Sequence, residues 1–174
     1  MKLILSAACC IALGSIPVLA QSKAMTDQQF VDFAAQTDMV EANLGQLAQN
    51  AASAQDVKDY GQMLNTDHTQ DFGQLNTAAQ QASLTVPTAI DAEHNKAMID
   101  PFQKLNGAAF DHKFAAEMVA GHTKAIAVYK KEAADAQNPA IKSYAAAAIP
   151  VLEKHLAGAK ALASGKKAAA SSGE

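Results

Sequence analysis

Hydrophobic residues recur every three or four positions along four long stretches of the chain. In the second stretch this pattern passes through Val57, Gly61, Leu64, His68 and Phe72, the spacing of one helix face with an imidazole at its centre. Hardly any segment alternates as a half-buried strand would. The pattern therefore predicts an all-α four-helix bundle, with a short extra helix in the linker between helices 2 and 3.

Capping residues and helix breakers predict where the helices begin and end. Thr26 and Gln29 form a capping box for a first helix that reaches about residue 50. Ser53 is the predicted N-cap of a second helix, which ends near residue 81. The linker helix starts at about residue 91 and the third main helix spans about 108–136. Asn138-Pro139 then starts the fourth, which Pro150 should kink.

The first 20 residues form a separate segment. Lys2 gives a positive start, an apolar run follows, and Val18-Leu19-Ala20 ends it with small residues at the expected positions. This pattern predicts a secretory signal peptide, residues 1–20, cleaved after Ala20. Residues 26–163 are the predicted bundle domain. Residues 164–174 are small, polar and Lys-containing, and are predicted to be a disordered tail.

Both cysteines, Cys9 and Cys10, lie inside the predicted leader. A lipoprotein signal would need a branched apolar residue three positions before the modified cysteine, where Ser6 or Ala7 stands instead. We therefore favour cleavage over lipidation. The mature chain would then offer neither a disulfide nor a thiolate ligand.

The charge pattern excludes several classes of partner. The 174-residue chain has a net charge of −3, and removal of Lys2 leaves 13 lysines, no arginine and 17 acidic residues, or −4. A mildly acidic chain without guanidinium groups is poorly suited to bind nucleic acid or specific phosphates. After the leader no apolar run approaches membrane length. The sequence thus predicts an exported, periplasmic protein whose protein partner, if any, is not identified.

Each of the four predicted helices carries one polar residue in or beside its apolar face: Glu41, His68, His122 and His155. With a rise of about 1.5 Å per residue, they lie ~17 to ~27 Å from the hairpin turns, in helices of roughly 40 Å. All four should therefore meet near the middle of the bundle, as in bundle-core metal sites. Together they could bind zinc, copper or iron.

Asp67 precedes His68 and points about 100° away from it around the helix. It is predicted to face the groove with a neighbouring helix, as a further metal ligand or as a partner of a ring nitrogen. His112 falls on the outer face and should be exposed. His94, in the linker helix, is predicted to have a packing or capping role.

Two other interpretations of the polar cluster stay open. A hydrogen-bonded Glu–His cluster without metal would also offset the cost of burial, in a non-catalytic envelope bundle that binds a partner through its outer face. A hydrolase with His68 as general base is disfavoured, because no credible nucleophile or oxyanion-binding turn accompanies it.

Several spaced motifs resemble the bacterial domain of unknown function 4142 family, over about residues 26–163. They are Glu41-x-x-Leu44-Gly45-x-Leu47-Ala48, Met63-x-x-x-Asp67-His68-Thr69, Leu105-x-Gly107-x-x-Phe110-Asp111, Met118-x-x-x-His122 and Pro150-x-Leu152-x-x-His155-Leu156. The resemblance implies a ferritin-like fold and export. Members are often labelled predicted outer-membrane proteins. It also implies a polar signature at Glu41, Asp67, His68, Asp111, His122 and His155.

One departure from true ferritins bears on enzymatic activity. A di-iron site of the ferritin kind uses Glu-x-x-His motifs on two of its helices. Asn65 and Leu152 occupy the Glu positions before His68 and His155. Ferroxidase chemistry is therefore disfavoured, and a histidine-rich mononuclear site, or no metal, fits better. Asp111 lies near a helix end and is predicted to cap a neighbouring backbone rather than bind metal.

Overall fold

A computed structural model describes residues 25–165 and confirms an all-α bundle. The four main helices are α1 (Asp27–Ala51), α2 (Gln55–Ala82), α4 (Gly107–Asp135) and α5 (Pro139–Ala163). The linker between α2 and α4 contains the short α3 (Ala92–His94), a π-helical segment (Asn95–Ile99) and a 3₁₀ turn (Asp100–Phe102). The predicted signal peptide and residues 166–174 of the predicted tail lie outside the described residues.

The two ends of the bundle are each marked by a carboxylate that contacts a neighbouring turn. Asp111, near the start of α4, accepts hydrogen bonds from the amides of Ser53 and Ala54, where α2 begins. Asp27, at the start of α1, accepts hydrogen bonds from the amides of Gln137 and Asn138, where α5 begins. The starts of α2 and α4 are therefore at one end and those of α1 and α5 at the other. This down-up-up-down order is the ferritin-like topology.

The linker must consequently cross the whole length of the bundle, from the end of α2 to the start of α4. It runs along α1, where the Gln28 side chain bonds to the backbone of Thr85 in both directions. Gln36 does the same with Ala89 and Asp91. The predicted linker helix is present, but it is divided into α, π and 3₁₀ turns rather than forming one α-helix.

Most of the predicted helix starts are confirmed, and one is wrong. Thr26 forms the capping box with Gln29, and Asn138 caps α5. The N-cap of α2 is Ala54 rather than Ser53, and its side chain makes no capping bond. The reason is tertiary: the Ser53 hydroxyl donates to the Asp111 carboxylate of α4, which also accepts from the amides of Ser53 and Ala54, so this hydroxyl does not cap α2. α5 continues through Pro150.

The apolar core is divided into two clusters along the bundle axis. One is built around Phe30, Leu75 and Tyr129, and the other around Leu64 and Phe114. On α2, α4 and α5 the histidine lies in sequence between the residues of one cluster and those of the other. The polar level therefore separates the two apolar clusters, as the helix-length calculation predicted.

Two glycines allow α1 and α2 to approach each other closely. A Cβ atom on Gly45 would lie 2.4 Å from the Gly61 carbonyl oxygen, and one on Gly61 would lie 2.6 Å from the Ala48 Cβ. The Asn65 side-chain amide donates to the Ala42 carbonyl, 2.8 Å away, beside this crossing. Gly45 lies one turn from Glu41, so the crossing brings the first helix against the face that carries His68.

We expect Gly45→Ala to lower the free energy of unfolding by about 1–3 kcal/mol, because the added methyl group meets backbone that cannot move cheaply. Gly73 is the matched control, since it lies inside α2 with open space around its Cα. Gly73→Ala should raise the free energy of unfolding by roughly 0.5–1 kcal/mol. Urea denaturation measures both, and equal effects of the two substitutions would contradict the close crossing.

Candidate metal centre

The four polar residues predicted from the four helices converge in the bundle interior. Glu41 Oε2 lies 3.0 Å from His68 Nε2 and 3.1 Å from His122 Nε2. The His155 ring centroid lies 5.2 Å from those of both His68 and His122. One potential ligand nitrogen of each histidine lies within 4.8 Å of the others. Relative exposure is 6% for Glu41 and 3%, 0% and 1% for the three histidines, so the cluster is buried.

Asp67 faces the groove between α2 and α5, as its position next to His68 predicted. Its Oδ2 atom lies 2.9 Å from His155 Nε2, and the side chain is 29% exposed. This contact is with a ring nitrogen and not with the interior of the cluster. Asp67 is thus placed as a partner of His155 rather than as an additional group in the centre.

Asp38 is a buried member of the cluster that the sequence reasoning missed. Its Oδ1 atom lies 2.9 Å from His68 Nδ1, and the residue is 1% exposed. It lies three positions before Glu41 and hence on the same side of α1. This three-residue spacing from Glu41 was the sequence signal that could have identified Asp38 as part of the cluster. A second buried acid on a face otherwise made of small and apolar residues points to a buried partner.

Each histidine uses one ring nitrogen for an acceptor other than Glu41 and the other two rings. His122 Nδ1 donates to the Met118 carbonyl at 2.9 Å, His68 Nδ1 faces Asp38, and His155 Nε2 faces Asp67. A carbonyl oxygen can only accept, so the neutral His122 ring carries its hydrogen on Nδ1 and a lone pair on Nε2. Such outer partners fix tautomer and ring orientation in metal-ligating histidines.

The other ring nitrogens of the cluster have no hydrogen-bond partner. His68 Nε2, His122 Nε2, His155 Nδ1 and Glu41 Oε2 are all buried and unsatisfied. The close approaches of Glu41 to two rings have the distance of a hydrogen bond but not its geometry. Because buried polar atoms are normally paired, a group of convergent unpaired ligand atoms is the arrangement expected around a cation. The residues present therefore fit a transition-metal ion.

Burial and mutual contact determine the charges within the cluster. Burial by itself would lower the pKa of His68, but the neighbouring Glu41 and Asp38 outweigh it and raise that pKa to about 10. Burial would raise the pKa of Glu41, yet electrostatic attraction to the neighbouring His122 and His68 rings lowers it to about 2. Burial, followed by repulsion from His68, lowers the pKa of His155 to about 4. Without metal, the neutral-pH cluster holds an ionised Glu41, a protonated His68 and a neutral His155.

Burial raises the pKa of Asp38 to about 7, although its contact with His68 opposes the rise. A second acid, Asp71, has a raised pKa for the same reason and accepts a 2.6 Å hydrogen bond from the Tyr144 hydroxyl. The Tyr144 hydroxyl also lies 3.2 Å from that of Tyr129. A polar chain therefore extends from the cluster into the first apolar core.

The remaining histidines and the other acidic residue of the family signature lie elsewhere. His112 is exposed, as predicted, and the His94 ring contacts Asp91, the N-cap of α3. Asp111 contacts the turn before α2 and has no part in the cluster. None of the helices within residues 25–165 combines the length and the apolarity needed to cross a membrane.

The profile of one protein family matches residues 15–162 of the chain. That family is described as Domain of unknown function (DUF4142). The chain belongs to this family. The resemblance seen in the spaced motifs is thereby confirmed, and the match covers all four main helices of this DUF4142 member. No curated protein sequence matches the chain.

Solved structures of similar fold include three forms of a protein called CopM. "CopM in the Cu(II)-bound form" has a TM-score of 0.66 and 16% identity, covering 80% of this chain and 97% of that one. The form described as Ag-bound by co-crystallization has a TM-score of 0.62 and 18% identity, covering 78% and 93%. The Cu(I)-bound form has a TM-score of 0.59 and 16% identity, with the same coverage. At these identities the likeness establishes the fold of this DUF4142 chain.

The depressed pKa of His155 predicts how the stability of the metal-free protein depends on pH. An unfolded histidine takes up a proton near pH 6.5, but folded His155 does so only near pH 4. Between these pH values the unfolded state therefore binds more protons than the folded state. The neutral His155 ring thus favours the folded state at neutral pH, and this contribution to stability is lost as the pH falls from 6.5 to 4. The loss amounts to at most about 3 kcal/mol.

We expect the free energy of unfolding of the wild type to fall over this range relative to that of His155→Gln. Urea titrations of metal-free protein at several pH values measure the difference. His112→Gln, which replaces an exposed histidine, is the control, and its free energy of unfolding should change with pH as that of the wild type does. If the free energies of unfolding of the wild type and His155→Gln differed by the same amount at every pH, the buried His155 ring would not be neutral.

Proposed function

We propose that this chain binds a single transition-metal ion in the core of its bundle and serves in metal storage, buffering or stress protection. His68, His122 and His155 are the proposed ligands, with Glu41 as the anionic ligand or charge partner. The observation that carries the proposal is the set of buried, convergent ring nitrogens without hydrogen-bond partners. Asp38, Asp67 and the Met118 carbonyl are proposed to hold the three rings in orientation.

Copper is the favoured ion among zinc, copper and iron. Imidazole nitrogens suit all three. The fold neighbours described as Cu(II)-, Ag- and Cu(I)-bound support copper, although at 16–18% identity they show only that such a bundle can hold these ions. A bound ion would supply a positive charge between Glu41 and the rings. It would thus replace the proton that His68 carries in the metal-free cluster.

We expect purified wild-type protein to bind one equivalent of copper, and His122→Ala to weaken this binding by more than about 100-fold. Loss of a supporting partner alone typically costs 10–100-fold, so loss of a ligand should cost more. Titration against a competing chelator measures the affinity, and elemental analysis measures the stoichiometry. His112→Ala on the same helix is the matched control, because its ring is exposed. Equal copper affinity in the two variants would exclude the proposed ligand set.

A second candidate function is that of a non-catalytic envelope protein whose polar cluster holds no metal. The contacts of His68 with Asp38 and Glu41, at 2.9 and 3.0 Å, favour this alternative, because they pair buried charges without an ion. In that case the cluster would give the helix packing its specificity, and function would reside in the outer face.

Melting temperature distinguishes these two functions. A ligand present at 100 times its Kd stabilises the folded state by about 2.7 kcal/mol. We therefore expect one equivalent of copper or zinc to raise the melting temperature of the wild type but not that of His155→Ala. A wild-type melting temperature that does not respond to either metal would favour the metal-free bundle.

A further inference from the structure

A groove between α1 and α4 extends from the protein surface to Glu41 of the polar cluster. Its volume is about 100 Å³, whereas about 10–15 Å³ of such space suffices for one water molecule. Residues of α1 and α4 form its walls, and His94 and Met98 of the linker line it from outside. Gln36 holds the linker in this place through its bonds to Ala89 and Asp91.

Glu41 joins the groove to the cluster. A Cβ atom on Gly121, which lines the groove, would lie 3.2 Å from Glu41 Oε1. The missing side chain at Gly121 therefore leaves room for this carboxylate at the groove. The other oxygen, Oε2, lies 3.0 and 3.1 Å from the inner nitrogens of His68 and His122. One carboxylate thus reaches both the solvent-connected space and the proposed ligands.

The cavity on the opposite face of the cluster is much smaller. The cleft between α2 and α5, lined by Asp67, His68, Val151 and His155, has a volume of only about 10 Å³, no more than one water molecule needs. The 2.9 Å contact between Asp67 and His155 closes it further. An ion that entered here would have to break this contact. The two cavities therefore differ about tenfold in volume.

Two methionines line the groove beside His94. Met98 of the linker is partly exposed, and Met118 of α4 is buried at its inner side. The charged groups at the groove are Glu41, Glu117 and Lys124, so two carboxylates face one ammonium and the net charge favours a cation. Thioether sulfur binds soft monovalent ions such as Cu(I) and Ag(I) in preference to Zn(II). The chemistry of the lining therefore favours a soft cation.

We propose that the groove between α1 and α4 is the passage by which the ion reaches the histidines, and that Met98 and Met118 make it selective for Cu(I). The inference rests on the proposed function, since it concerns access to the same site. It adds the route, the oxidation state of the ion and a role during uptake for the thioethers of Met98 and Met118.

One pair of variants places an aromatic side chain at each opening. Thr37 lines the groove and is partly exposed, and Val151 lines the opposite cleft and is exposed. Stopped-flow mixing of the metal-free full chain with Cu(I), or with Ag(I) as a redox-inert probe, measures the uptake rate. We expect Thr37→Phe to slow uptake at least tenfold with less than a twofold change in Kd, because a blocked passage slows binding and release equally. Val151→Phe should bind at the wild-type rate.

A second pair tests the thioethers without changing the packing volume. Met98→Leu conserves volume, so it is expected to fold even if the aromatic variant does not. It should slow the uptake of Ag(I) and Cu(I) at least threefold and leave that of Zn(II) unchanged. Met63→Leu is the matched control, since Met63 is partly buried but does not line the groove. Circular dichroism verifies that each variant is folded.

Different results would overturn the proposed metal binding and the proposed passage. A wild-type chain that takes up neither Cu(I) nor Ag(I) would overturn the proposed function and the passage together. Tight binding with equal uptake rates in the wild type and Thr37→Phe would overturn the passage alone, as would slowing by Val151→Phe. Equal slowing of Zn(II) and Ag(I) by Met98→Leu would overturn the selectivity assigned to the thioethers.

Discussion

Burial of ionisable groups at one depth of the bundle is the constraint on which the rest of the structure depends. An unpaired charge in an apolar interior costs several kcal/mol, so each buried acid or imidazole needs a partner. Here the partners come from different helices: Glu41 of α1 faces His68 of α2 and His122 of α4, and Asp67 of α2 faces His155 of α5. The helices can therefore pack in only one register, because sliding one of them would leave a buried charge alone.

The small residues around this level make the pairing possible. Gly45 and Gly61 bring α1 and α2 into close backbone contact on one side of Glu41, whereas Gly121 leaves open space on the other. The same carboxylate is consequently held firmly against the rings and remains next to a solvent-connected groove. A bundle with larger side chains at these positions would lose either the contact or the opening.

The cluster resembles a ferritin site in its location but not in its ligands. The bundle has the single long crossover of ferritin-like folds. With Asn65 and Leu152 at the positions where ferritins place glutamate, the centre is rich in nitrogen and poor in bridging oxygen. Asp38 does not make up the difference, since its oxygen already faces His68 Nδ1. Imidazole-rich sites suit later transition metals, which is why the proposed chemistry is copper binding rather than iron oxidation.

The sequence by itself determined the helices, most of their caps and the common depth of Glu41 and the three histidines, because helix period, rise and capping are local properties of the chain. Only the tertiary structure decided that the linker crosses the bundle, that Asp111 binds the turn before α2, and that Asp38 is the partner of His68. It also revealed the groove at Gly121. These features depend on distances between residues far apart in the chain, and hydrophobic periodicity carries no information about such distances.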